Sequence, residues 1–209
     1  MNVLVIGANG KIGRHLVKKL ALEKGFFVRA MVRKAEQVAA LEKLGAKPII
    51  ADLKKDFIYA YDEIEAVIFT AGSGGHTPPE ETIKIDQDGA IKAIEFAKER
   101  GIRRFILVSS YGADNPENGP DSLVHYLKAK AKADEVLKRS RLEYTIVRPV
   151  GLSDDAGTGK IAEVSGTPKT SIPREDVATF ITEALSQKSS FYKTYTIESG
   201  ETPITNFFN

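Results

Sequence analysis

The sequence predicts an α/β domain in which one parallel sheet carries helices on both faces. Three observations predict it. Short β-branched runs alternate with amphipathic stretches along the whole chain, which is the pattern of parallel strands joined by crossover helices. The runs are apolar almost without a break, as strands covered on both faces must be. The long irregular stretches, 72–79, 112–121 and 151–172, each follow the carboxyl end of an expected strand, where open α/β sheets build their sites. At 209 residues with 42% hydrophobic side chains, the chain can bury one sizeable core and has little left for a second domain.

The expected strands are 3–6, 26–32, 48–51, 66–70, 104–108, 144–147 and 194–197. The expected helices are 11–22, 35–44, 80–100, 122–138 and 174–186, each with an apolar stripe at helical spacing. The fourth strand is followed by a helix that ends on Lys98, Glu99 and Arg100 ahead of Gly101, with cations at the negative helix end and a glycine where positive φ is needed. Arg103 and Arg104, just beyond, read as structural surface. Phe207 and Phe208 read as apolar anchors that tie the tail to the core. The whole chain, 1–209, is therefore expected to be a single-domain Rossmann-type doubly wound parallel sheet, with a small substrate-side lobe formed mainly by 151–172 and the C-terminal tail.

Charge and composition exclude several classes of function. The 30 Lys and Arg nearly cancel against 28 Asp and Glu, so no general basic field draws nucleic acid or anionic lipid. No stretch approaches the roughly 20 apolar residues that span a bilayer. There is no cysteine, hence no disulfide framework and no thiolate nucleophile. The first apolar run is short and ends at a glycine, unlike a secretion signal. These features point to a soluble cytoplasmic protein, and they leave monomer and homodimer both open. His15, His76 and His125 lack metal-ligand spacing, so no metal site is expected.

The strongest local signal is the opening VLVIG, which runs straight into ANGKIGRHLVKKL. Gly7 permits a tight turn, Gly10 lets the backbone approach a pyrophosphate, and Gly13 lets the helix lie against the strand. The helix amino end supplies unpaired N–H groups and a positive dipole for the same phosphates. Asn9, Lys11 and Ile12 lie between the glycines and are expected at the dinucleotide. The spacing is G-x-x-G-x-x-G, and its strand and helix context is what gives it weight. At the end of the second strand stand Arg33 and Lys34, with no acid until Glu36. A carboxylate there receives a ribose 2′-hydroxyl, whereas cations receive a 2′-phosphate, so the cofactor expected is NADP(H).

These segments, together with RAMVRK at 29–34, Ala51-Asp52-Leu53, IFTAGSGG at 68–75, RFILVSS at 104–110 and YTIVRP at 144–149, resemble the short-chain dehydrogenase/reductase superfamily. More narrowly, the chain resembles its atypical NAD(P)-binding group, variously labelled NmrA-like or NAD-dependent epimerase/dehydratase. The resemblance implies that Asp52 and Leu53 flank the adenine, that Ala71 and Gly72 line the dinucleotide path, and that Pro149 borders the nicotinamide. It also implies chemistry resting on a Ser, a Tyr and a Lys. Tyr126 and Lys130 stand one helical turn apart, and Ser109 and Ser110 end the fifth strand. In reduction, Tyr126 would donate a proton to the developing alkoxide and Ser110 would hydrogen-bond the carbonyl oxygen. The Asn of the usual proton relay is replaced by Asp86, and Lys130 shares its helix with Lys128 and Lys132, so a structural role for Tyr126 and Lys130 stays open.

The function expected is hydride transfer between NADPH and a small carbonyl, quinone-like or flavin-like acceptor. The alternatives are a non-catalytic sensor of the NADPH/NADP ratio and an epimerase/dehydratase. The short segment after Pro149 disfavours a nucleotide-sugar substrate. His76, in the GSGGHTPP loop, is a weaker candidate for substrate contact. Asp154 and Asp155 read as loop-solvating acids rather than an acid/base pair.

Overall fold

Alternate side chains of the first strand settle in opposite cores, which is why its sequence is apolar throughout. In β1 (Asn2–Ile6), Val3 and Val5 join one buried cluster while Leu4 and Ile6 join another. The first cluster is roofed by α1 (Lys11–Leu22) through Leu16, Val17 and Leu20. The computed structural model describes residues 1–73 and 77–208 of the chain.

From β1 the chain steps outward through β2 (Phe27–Val32), α2 (Val38–Glu42) and β3 (Lys47–Ile50). It then returns across the sheet to β4 (Ala66–Phe69) on the other side of β1. The next helical stretch starts as α3 (Pro79–Thr82), widens into a π-helix over Ile83–Gly89, and continues as α4 (Ala90–Glu99). Then come β5 (Arg104–Val108), α5 (Val124–Arg139) and β6 (Glu143–Pro149). Two short strands, β7 (Leu152–Ser153) and β9 (Ile172–Pro173), flank β8 (Lys160–Glu163), and α6 (Arg174–Ser186), β10 (Lys193–Ser199) and β11 (Thr202–Pro203) complete the order.

Seven strands run parallel in the order β3-β2-β1-β4-β5-β6-β10, and β8 and β11 add antiparallel strands beyond β10. The expected doubly wound parallel sheet is thus present, with α1 and α6 on one face and α4 and α5 on the other. The strand order reverses between β1 and β4, so a crevice opens above their carboxyl ends.

Three segments differ in detail from the sequence reading, and the tail packs as expected. The expected helix 35–44 is interrupted because Gln37 turns its side chain back, its Oε1 accepting the Arg33 and Lys34 N–H groups at 3.0 Å. The first three residues therefore form a 3₁₀ turn before α2. The expected helix 80–100 contains the π-helical stretch. Of the segment 151–172, expected to form most of a small substrate-side lobe, Lys160–Glu163 pairs into the main sheet beside β10, while β7 and β9 form a two-stranded ladder. The C-terminal tail packs as an aromatic cluster, with the rings of Phe207 and Phe208 5.3 and 5.0 Å from Phe180.

Arg104 corrects the surface reading given above. It is buried, and its guanidinium donates to the Ala184 and Leu185 carbonyls at 2.7 and 3.1 Å and to Glu143 O at 2.7 Å. A cation thus closes the carboxyl end of α6, where the helix leaves its last carbonyls unpaired. Burial pulls the Arg104 guanidinium down to about 10, with Glu143 and Tyr195 opposing the shift. Arg103 does stay exposed, paired with Glu143 at 2.6 Å. Replacing Arg104 with Met removes the guanidinium from Leu185 O and Glu143 O, while Ala184 O keeps the Ser190 hydroxyl at 2.8 Å, and urea unfolding is expected to show a loss of about 2 kcal/mol. Arg103→Met, by contrast, is expected to change stability by less than about 1 kcal/mol.

Candidate functional site

The crevice above β1 and β4 is shaped by glycines that no larger residue can replace. Gly7 has φ +85°, and a Cβ there would stand 2.5 Å from the Ala71 amide nitrogen. A Cβ on Gly13 would stand 2.3 Å from the Gly7 carbonyl oxygen. The turn is therefore folded against the end of β4 and against the first turn of α1. Gly10 differs from both, because it is exposed, has φ −69°, and a Cβ would meet only Gly7 O at 3.2 Å. No side chain caps α1 at Gly10, so the helix presents its first N–H groups to the crevice. That cradle fits a dinucleotide pyrophosphate.

The crevice holds a cleft of about 450 Å³, within the range of small-molecule sites. Gly7, Asn9, Gly10, Arg33, Asp52, Leu53, Ala71 and Gly72 line it. Arg33 ends β2 at the cleft's edge, exposed, and among the described residues its guanidinium has no hydrogen bond or ion pair. Lys34 does not line the cleft and pairs with Glu36 at 3.4 Å. Asp52 accepts the Lys54 N–H at 2.9 Å, which fixes the turn after β3. Gln37, Thr70, Ser73 and Glu81 also line the cleft and were not anticipated. Nothing in their spacing marks them, because they reach it through the bend of the chain around β2 and β4.

Lys11, Ile12 and Gly13 sit at the start of α1 without lining the cleft. Lys11 is ion-paired with Asp154, which also pairs with Arg174 at 2.6 Å. These two cations hold the Asp154 carboxyl below its ordinary range, the Lys11 contact being the larger cause. Asp154 is an exposed loop acid, as expected, and it also tethers the start of α1 to α6. Ile12 packs on the core.

None of Ser109, Ser110, Tyr126, Lys130 and Pro149 lines the cleft, and Lys130 lies behind it, its Nζ 3.6 Å from where a Cβ on Gly72 would stand. Lys130 is buried on α5, one turn after half-buried Tyr126, with its Nζ 5.5 Å from the Tyr126 ring centroid. Its ammonium lies 2.8 Å from Asp86 Oδ1 and donates to Val108 O at 3.3 Å. Burial is the largest influence on Lys130 and opposes its charge, yet Tyr126, Asp86 and Asp134 together outweigh it and hold the ammonium above the ordinary lysine range. Asp86, in the π-helix, is fully buried, and its Oδ2 accepts the Ser73 N–H at 2.9 Å and the Ser73 hydroxyl at 2.5 Å. Asp86 Oδ1 has no hydrogen bond among the described residues beyond its ion pair. The family resemblance implies that Asp86 stands where the relay Asn usually does, but gives no sign of this pairing.

Ser110 stands half-buried after β5, its hydroxyl donating to Tyr111 O at 3.2 Å. Pro149 ends β6, its carbonyl accepting the Tyr111 N–H at 3.0 Å. Ser109 is buried beside a second ion pair, in which Arg148 donates to Asp134 Oδ2 at 3.0 and 2.9 Å. Burial pushes the Asp134 carboxyl up, against the pull of Arg148. His76 lies outside the described residues. No group of acids and histidines among the described residues is arranged to hold a metal ion. No described helix is long and apolar enough to cross a membrane.

The family of proteins described as NAD(P)H-binding matches residues 7–188, from the glycine turn to the end of α6. The chain belongs to that NAD(P)H-binding family. Its solved neighbours share this fold, and the first of them below carries the epimerase/dehydratase label of the group that the sequence resembles. A Bacillus halodurans protein provisionally named an NAD-dependent epimerase/dehydratase is 48% identical, with a TM-score of 0.95 over 98% of this chain and 97% of that one. YhfK of Bacillus subtilis, named an uncharacterized sugar epimerase, is 42% identical over 98% of this chain and 97% of its own length. ChuY of Escherichia coli O157:H7, an anaerobillin reductase, is 26% identical with a TM-score of 0.79, covering 96% of this chain and 98% of that one.

The glycines of this NAD(P)H-binding chain separate folding from binding. Gly13→Ala is expected to lower the urea midpoint by the equivalent of about 2 kcal/mol or more, because backbone must move aside. Gly10→Val is expected to keep the parent melting temperature within a few degrees and to lose dinucleotide binding in calorimetry. Retained affinity in a folded Gly10→Val protein contradicts the pyrophosphate cradle.

Proposed function

We propose that the chain is an NADP(H)-dependent reductase acting on a small carbonyl, quinone-like or flavin-like acceptor. The observation that carries the choice of cofactor is the unpaired Arg33 guanidinium at the cleft's edge, at the end of β2. A planar fork of donors there suits a 2′-phosphate, and among the described residues no acid is paired with it. When bound, NADPH supplies the hydride. The residues of the chain do the rest. The first turn of α1 binds the pyrophosphate, Lys130 orients the inner end of the cleft, Tyr126 holds the proton that the reduced oxygen takes up, and Ser110 turns its hydroxyl toward that oxygen.

The reductive assignment is supported by the Tyr126 and Lys130 geometry and by the activity named for ChuY. The epimerase names of the Bacillus relatives point elsewhere. A nucleotide-sugar, however, calls for a substrate domain, and 151–172 lends four of its residues to the main sheet. Two variants test the reading. Arg33→Asp is expected to weaken NADPH binding at least tenfold more than NADH binding, and equal losses contradict the 2′-phosphate role. NADPH consumption with a panel of quinones, flavins and aldehydes is expected to fall at least 100-fold in Tyr126→Phe. Turnover that survives the change contradicts its role as proton donor, and binding without any turnover favours a sensor of the NADPH/NADP ratio.

A further inference from the structure

The buried pair behind the cleft bears on a property separate from proton transfer. Asp86 and Lys130 are 0% and 4% exposed, yet they lie directly behind Gly72 at the cleft wall. Gly72 lines the cleft, and a Cβ on it would stand 3.0 Å from Asp86 Oδ1 and 3.6 Å from Lys130 Nζ. Ser73, the next lining residue, gives both its N–H and its hydroxyl to the other oxygen of Asp86. The pair is therefore held rigidly, and its charges act on whatever occupies the inner end of the cleft.

The charges around it are balanced. Lys130 faces Asp86, while Asp134, one turn further along α5, is committed to Arg148 at 2.9 Å. Arg148 is followed outward by Asp114 at 3.5 Å. The buried four, Asp86, Lys130, Asp134 and Arg148, sum to zero. An oxidised nicotinamide ring carries one positive charge and a reduced ring carries none, so the local potential weighs one redox form against the other.

We propose that Asp86 sets the relative affinity of the site for NADP⁺ and NADPH, by cancelling the Lys130 charge at the nicotinamide end of the cleft. Here the carboxylate keeps the inner end neutral, so the oxidised cofactor is not repelled after turnover. This inference rests on the reading that the cleft takes a dinucleotide with its nicotinamide toward Gly72.

Calorimetric titration of the purified chain and its variants with NADP⁺ and with NADPH tests it, with melting temperatures taken alongside. Asp86→Asn leaves Lys130 uncompensated and is expected to raise the ratio Kd(NADP⁺)/Kd(NADPH) about tenfold, the scale of one unit charge acting within a poorly solvated site. Lys130→Gln leaves Asp86 uncompensated and is expected to lower the same ratio, which decides the matter should the first variant not fold. The double variant restores neutrality and is expected to return the ratio to that of the parent. If the single variants weaken both forms equally, so that the ratio stays within twofold of the parent, the pair is a structural brace and the proposal falls. If the parent protein binds neither form, the reading of the cleft falls and the proposal with it.

Discussion

A methyl group on Gly13 would lie 2.3 Å from Gly7 O, and one on Gly7 would lie 2.5 Å from the Ala71 backbone, so the glycine turn is wedged between α1 and the end of β4. That close approach depends on two residues without side chains, and the rest of the molecule is arranged around it. It lets β1 and β4 stand side by side at the point where the strand order reverses. It also brings the uncapped start of α1 to the mouth of the crevice. A helix start that is left unpaired costs stability unless water or an anion meets it. The fold thus keeps a site for a phosphate group at the one place where the sheet opens.

The two ends of the cleft differ in electrostatic character. At the β2 end Arg33 is exposed and unpaired among the described residues. At the inner side the cations are already matched, Lys130 by Asp86 and Arg148 by Asp134. Removing one partner of such a buried pair leaves an uncompensated charge, which is why these residues act as a set. The tether from Lys11 through Asp154 to Arg174 ties the glycine turn to the α6 side of the molecule, although its exposed charges are screened by solvent and contribute little to stability.

Much of the fold was legible because hydrophobic patterning reports burial directly. The seven parallel strands and the long helices follow from it. The short strands β7, β9 and β11, each of two residues, carry too few side chains to show a period, and β8 is embedded in a glycine- and threonine-rich stretch. Arg104 was misread because an arginine at the start of a strand looks like surface. Only the return of α6 across the sheet creates the buried carbonyls it serves. In the same way the glycines and Arg33 were legible at the cleft, since their roles are local. Gln37 and Ser73 were not, and neither was the Asp86–Lys130 pairing, because residues 44 positions apart meet only through the packing of α5 on the π-helix.

The central claim is that this crevice holds NADP(H) through the α1 amino end and Arg33. Calorimetric titration of the unmodified protein with NADPH and with NADH addresses it before any substrate is known. The account predicts micromolar binding of NADPH and binding of NADH weaker by at least tenfold. Equal affinities would remove Arg33 from cofactor choice, and absence of binding by either would contradict the account as a whole.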